Sequence, residues 1–265
     1  MKTCKLKRKN DKHGGFTLVE MLVVISIITI LIAILLPVLG KAKSSARKIV
    51  CMANLRQIGT AINTYSMDYD ESIPIGPKAP PFLSPADFYP STGTPTSLLS
   101  LSTGQPVGLG LLLAKYLSKK SEVLFCPGAD QSVSTKAELA KVGNSQAQCS
   151  YYYRHASVTS LFDNPKEAPI IDIKLSDLGL NRKKQKIKAL VLDTQFLCPD
   201  DLLSFNVKPR THHDLETVNI FFAGGHVVSR RNEDNRFTVD VRNYADIRNA
   251  FSKILETFEE ADKEQ

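Results

Sequence analysis

From Phe16 to Gly40 the chain is apolar almost without interruption, and the only charge among these 25 residues is the carboxylate of Glu20. At about 1.5 Å rise per residue, such a run spans the roughly 30 Å hydrocarbon core of a bilayer as a helix. Past Gly40 the pattern changes rather than stops. Cys51, Leu55, Ile58, Ile62 and Tyr65 recur at steps of four, three, four and three, with Arg56, Gln57, Asn63 and Asp68 between them. That spacing marks a helix with one buried face. Together the two stretches predict one helix from about Thr17 to Tyr69, with a membrane half over 16–40 and an amphipathic spine over 41–72. Pro37 removes a backbone donor inside it and predicts a kink. Ile73-Pro74 ends it, because the residue before a proline is driven out of the helical region.

Residues 73–107 break every periodicity. Pro74, Pro77, Pro80, Pro81, Pro85, Pro90, Pro95 and Pro106 stand among glycines and serines, which predicts a long irregular loop, with a partner-contact surface as the sharper alternative. The remainder, 108–265, reads as one globular domain. GLGLLLAKYLSK from Gly108 predicts a short amphipathic helix and EVLFCP a strand. Further strands are expected at SYYYRH, KALVLD, VNIFFA, HVVSR and RFTVDV, all rich in β-branched or aromatic residues. Gly224-Gly225 is placed between two of them as a two-residue type I′ turn. Tyr244, Ile247, Phe251, Ile254, Leu255 and Phe258 predict a closing helix with one apolar face. The expected class is α+β: a long N-terminal helix packed on a small antiparallel sheet, with a C-terminal helix.

Charge changes the picture at the N-terminus. Residues 1–15 carry six bases (Lys2, Lys5, Lys7, Arg8, Lys9, Lys12) and one acid (Asp11), a net +5 of the chain's +7, so the rest is only about +2. The basic balance therefore belongs to a short leader and gives no argument for nucleic-acid binding. Lys41, Lys43, Arg47 and Lys48 form a smaller basic group, read as a solvated or headgroup-contacting helix turn rather than a DNA-binding patch. The leader ends in Gly14-Gly15, before the apolar run, and no small-residue cleavage site follows Leu36, which excludes an ordinary secretory signal peptide. A glycine pair at the membrane edge offers a protease an uncrowded backbone. A carboxylate inside an apolar span calls for a partner.

The run GFTLVE followed by a long apolar segment resembles the N-terminus of the type IV prepilin and type II secretion pseudopilin family. The resemblance covers about residues 1–66. It implies cleavage between Gly15 and Phe16 by a prepilin peptidase, N-methylation of Phe16, an assembly role for Glu20 opposite the N-terminus of a neighbouring subunit, and a kink at Pro37. It also implies orientation: leader inside, a single pass through the cytoplasmic membrane, and the C-terminal domain extracytoplasmic. The implied partners are the prepilin peptidase, other pilin or pseudopilin subunits and membrane lipid. The segment from His212 to Val227 resembles the C-terminal motif of a large prepilin-like subfamily, in which nine residues separate a His from an Asp-Gly pair. Here ten residues separate His213 from Gly224-Gly225, and glycine stands in place of the acid. FCPGAD and CMANLRQIG resemble the same subfamily.

Candidate chemistry is sparse. His212, His213, His226 and Asp193 fit no short zinc spacing, so they are read as polar groups at a hairpin and neither metal nor cofactor is expected. The Asp200-Asp201 pair has no third acid beside it for calcium. Cys4 lies in the leader, leaving Cys51, Cys126, Cys149 and Cys198, which permit three pairings. A Cys126–Cys149 bridge, worth about 3 kcal/mol by chain entropy, is slightly preferred over free buried thiols. No G-x-S-x-G and no phosphate-binding glycine loop occurs, so no enzyme is expected. The expected function is a structural subunit of a secretion pseudopilus or a type IV pilus-like filament. The alternatives are a membrane-tethered binding module that does not polymerise, and an adhesive or DNA-uptake minor pilin.

Overall fold

The computed structural model describes residues 17–75, 96–117, 120–131, 133–155, 174–205 and 207–264. The leader, Gly15, Phe16 and most of the proline-rich loop lie outside that set. Two compact units divide the chain at Lys43/Ser44. Helix α1, Leu18–Asp68, passes through this boundary with Pro37 inside it. In the first unit its apolar side chains, from Leu18 to Leu39, are all exposed, and it is long and apolar enough to cross a membrane.

In the second unit, α1 buries the face its spacing predicts: Cys51, Leu55, Ile58 and Ile62 are fully enclosed and Tyr65 nearly so. They pack on a five-stranded sheet built from β1 (Thr96–Ser100), β2 (Ala147–Tyr153), β3 (Ala189–Asp193), β5 (Thr217–Phe222) and β6 (Val227–Arg231). The strand order is β1-β2-β3-β5-β6, every pairing antiparallel. Side chains alternate between the two faces, as the pleat demands. Tyr151, Tyr153 and Phe221 join the core under α1, whereas Tyr152, Leu192, Ile220 and Phe222 join a second core on the opposite face. A register shift between Ala189 and Val191 accompanies a break in that alternation, so that both Leu190 and Val191 face α1.

The second core is closed by α3 (Ile247–Lys263), through Ile247, Ala250, Ile254, Phe258 and Ala261. A small parallel pair, β4 (Phe196–Leu197) with β7 (Val239–Asp240), lies beside it. One further helix, α2 (Thr135–Lys141), is capped by Ser134, which accepts from the Ala137 amide. The helix–sheet–helix stack explains why β3 and β5 are buried along their whole length and β2 at every residue but Gln148, where an alternating sheet would leave one face wet.

Several expectations fail in physical detail. EVLFCP is not a strand: Ser121–Leu124 form a 3-10 turn, as do Gly108–Leu112 in place of the expected amphipathic helix. Thr96–Ser100, inside the stretch read as loop, forms an edge strand. RFTVDV contributes only Val239–Asp240. The β5–β6 connection is not a two-residue turn. Ladder bonds close from the Gly225 amide to the Phe222 carbonyl and from the Phe222 amide to the His226 carbonyl, and only Gly225 has positive φ, at 87°. Tyr244 lies before α3 in its own 3-10 turn and is half exposed.

Candidate functional site

The N-terminal segment holds the first candidate group. Thr17 precedes α1 and Glu20 sits in its first turn, so helix start and carboxylate are three residues apart. The Thr17 amide and hydroxyl both donate to Glu20 Oε2 at 2.8 Å, and the Glu20 amide donates back to the Thr17 hydroxyl at 3.2 Å. This is a capping box, each side chain satisfying a backbone donor that the helix leaves open. The T-x-x-E spacing was available in the sequence as its signal.

The second group lies where α1 meets the sheet. Cys51, the first buried residue of α1, points at the end of β3, where its thiol donates to Asp193 Oδ1 at 3.2 Å and lies 3.2 Å from the Tyr151 hydroxyl. Asp193 is fully buried. Its Oδ2 accepts from the backbone amide and the side-chain Nδ2 of Asn219, at 2.9 and 2.8 Å, and is 3.5 Å from His213 Nε2. His213 Nε2 is also 3.5 Å from Cys126 Sγ and 3.1 Å from Asn219 Nδ2. Cys126 in turn accepts from the Gly128 amide at 3.3 Å. One ligand atom from each of Cys51, Cys126, Asp193 and His213 falls within 4.8 Å of every other, and all four residues are buried.

The local backbone is shaped for this meeting. His213, Asp214 and Leu215 have φ of 56°, 55° and 61°, three successive non-glycine residues in the left-handed region, each at a cost of about 1–2 kcal/mol. A Cβ on Gly128 would stand 2.4 Å from His213 Cε1, so only glycine lets the ring lie against the Cys126–Gly128 turn. The electrostatics are those of a dry cluster. Burial, then the neighbouring Cys126 and Asp193, push the Cys51 thiol well up, and burial likewise raises Tyr151. Burial opposes ionisation of Asp193, but the hydrogen bond and charge of His213 and the charge of His212 outweigh it and lower the carboxyl. For His213 burial opposes the charge, while Asp193 and Cys51 together raise it to about 10.

Two comparisons bear on the N-terminal segment. The model of the prokaryotic N-terminal methylation motif matches residues 10–36. The chain is similar to the competence protein ComGC of Halalkalibacterium halodurans, 35% identical over 65 residues, which is 24% of this chain and 64% of that protein. It is similar also to the ComG operon protein 3 homologue of Bacillus licheniformis, 40% identical over 65 residues, 24% of this chain and 65% of that one. The N-terminal quarter of the chain is thus similar to type IV pilin-like proteins. The chain spans just under two thirds of the length of each curated relative, and no solved structure matches it. The prepilin-type motif and the apolar N-terminal helix fit a single-pass membrane protein with its C-terminal domain outside.

The fold distributes the sequence candidates unevenly. Glu20 and Pro37 lie in the exposed part of α1. The expected Cys126–Cys149 bridge is absent: Cys51, Cys126, Cys149 and Cys198 are all free thiols. Cys149 instead donates to the Tyr151 carbonyl at 3.2 Å, while Cys126 faces His213. Of the histidine group, His226 stacks on Phe222, as a hairpin residue would. His212 Nδ1 lies 2.7 Å from the Thr194 carbonyl. His213 and Asp193 do come together, and the partners that the sequence reading missed are Cys51 and Cys126. Their spacing carries no local signal, since the four residues come from α1, the turn before Gly128, the end of β3 and the turn before β5.

Proposed function

We propose that this pilin-like protein is made as a precursor, cut by a prepilin peptidase between Gly15 and Phe16, methylated at Phe16 and assembled with other pilins through its apolar helix. The division would then be leader 1–15, assembly helix 16–40, spine 41–72, proline-rich loop 73–107 and extracytoplasmic domain 108–265. The observation that carries this reading is the methylation-motif match over residues 10–36, which brackets the glycine pair and Glu20. The Thr17–Glu20 capping box supports it, because both partners lie after the proposed cut and remain in the mature chain. In a filament Glu20 would face the new N-terminal amine of a neighbour, which offsets the cost of a charge in an apolar bundle.

Between a type II secretion pseudopilus and a competence-type pilus, the similarity to two relatives named as competence proteins supports the second. The test of processing is intact-mass and N-terminal analysis of the membrane-extracted protein, with and without the prepilin peptidase. A start at Phe16 carrying one extra methyl group is expected. A Met1 start in the peptidase-positive host would leave only a membrane tether.

A further inference from the structure

We propose that Cys51, Cys126, Asp193 and His213 bind one Zn2+ in a closed tetrahedral site that joins the spine helix to the sheet. The donor set is the first argument. Two sulfurs, one imidazole nitrogen and one carboxylate oxygen are ligands that zinc accepts in four-coordinate structural sites, and thiolates select it over the hard cations Ca2+ and Mg2+. Two thiolates and one carboxylate around Zn2+ leave a net charge of −1, the same as a three-cysteine, one-histidine site.

Geometry is the second argument. With metal–ligand bonds of about 2.0–2.3 Å, the edges of a tetrahedron are about 3.3–3.8 Å. Two observed separations fall at or near that range: 3.2 Å from Cys51 Sγ to Asp193 Oδ1 and 3.5 Å from Cys126 Sγ to His213 Nε2. The remaining separations stay within 4.8 Å, so the widest pairs close by about 1 Å, within reach of small side-chain rotations, to hold an ion.

The surrounding groups supply the third argument, since a metal site is recognised as much by what orients its ligands as by the ligands. Asn219 holds Asp193 Oδ2 with two donors, leaving Oδ1 turned toward Cys51. The Gly128 amide donates to Cys126 Sγ and fixes where the sulfur sits. Left-handed backbone at three successive residues and a glycine that no larger residue can replace both serve to aim His213. Burial excludes water from all four positions, so no coordination place is left open for catalysis. Free thiols at this spacing in an exported domain would be exposed to oxidation, and coordination keeps them reduced.

The test uses the full chain, extracted from membranes in mild detergent without chelator, with metals measured by mass spectrometry of the digested protein. About one zinc per chain is expected, falling at least tenfold in Cys51→Ala and His213→Ala. Because either variant can unfold, wild-type protein is also stripped with chelator and titrated with Co2+. The expected result is the intense ligand-field absorption of tetrahedral cobalt with a thiolate charge-transfer band, both abolished by stoichiometric Zn2+. Metal-free wild-type protein that yields four free thiols and an octahedral cobalt spectrum overturns the proposal. So does a Cys51–Cys126 disulfide mapped in freshly extracted protein, and so does stoichiometric iron or copper in place of zinc.

Discussion

Thr17 and Glu20 satisfy each other across the first turn of α1, hydroxyl and amide of one on the carboxylate of the other, with a return bond from the Glu20 amide. The carboxylate therefore has a helix-starting role separate from any role opposite a neighbouring subunit, and the two can be told apart by substitution. Glutamine also serves as the third member of a capping box, so Glu20→Gln keeps the box and removes the charge. Thr17→Ala breaks the box, at about 1 kcal/mol, and keeps the charge. If the charge drives assembly, Glu20→Gln is processed normally but is at least tenfold depleted from sheared filaments, while Thr17→Ala assembles. Immunoblots of filament and membrane fractions measure both, and wild-type incorporation of Glu20→Gln would refute the charge argument.

At Gly59, α1 lies directly against the Phe221 ring of the sheet. A Cβ there would lie 2.2 Å from Cε2 of Phe221, a side chain that is itself buried. Gly59→Ala should lower stability by about 1–3 kcal/mol through overpacking, despite the better helix propensity of alanine. Combining it with Phe221→Leu should cost less than the two single changes summed, since each relieves the other. Melting temperatures of the detergent-solubilised protein give the comparison.

Arg154 and Asp262 form an ion pair with almost no exposure, Nη1 bonded to Oδ1 at 3.1 Å and Oδ2 at 3.0 Å. Asp262 also accepts from the Lys188 and Ala189 amides and from Asn181 Nδ2, and the Arg154 guanidinium lies 4.8 Å from the centre of the Phe258 ring. One carboxylate thus ties α3 to the end of β2 and the start of β3. Asp262→Ala leaves a buried cation without its counter-charge and should cost about 3–5 kcal/mol. Adding Arg154→Met should recover part of that loss, which a double-mutant cycle would register.

Cys149 is a buried thiol bonded to a neighbouring carbonyl, with no sulfur partner. Loss of that weak bond in Cys149→Ala should cost about 1 kcal/mol, and reducing agent should leave the wild-type peptide map without any Cys126–Cys149 species to remove. A bridge would instead have shown a loss of roughly 2–5 kcal/mol on reduction.

The readable parts of this fold are those in which local pattern and tertiary burial agree. The spine face from Cys51 to Tyr65 has helical period, and Ser150–Tyr153 and Val218–Phe222 have the bulky composition of buried strands. Thr96–Ser100 was hidden because its strand character comes from pairing with β2, some fifty residues on, and its own sequence follows a proline-rich run. EVLFCP has strand composition, yet Glu122 and Val123 sit in a turn that delivers Cys126 to His213. The buried cluster was illegible for the same kind of reason. Its four residues span positions 51 to 213, and nothing short-range links a thiol on a helix to a carboxylate at a strand end. Only once β3 and β5 pair, with Leu192 opposite Ile220, does Asn219 reach Asp193.

Cys51 is the first residue of α1 whose side chain is enclosed, and Leu55, Ile58 and Ile62 follow it down the same face. Tension applied along this helix from its apolar end reaches Cys51 before any other enclosed side chain of α1. The load is then shared in shear across successive helical turns, which must slip together. A bond from Cys51 to the sheet sits at the leading edge of that load path, the position where a single fastener most delays tearing.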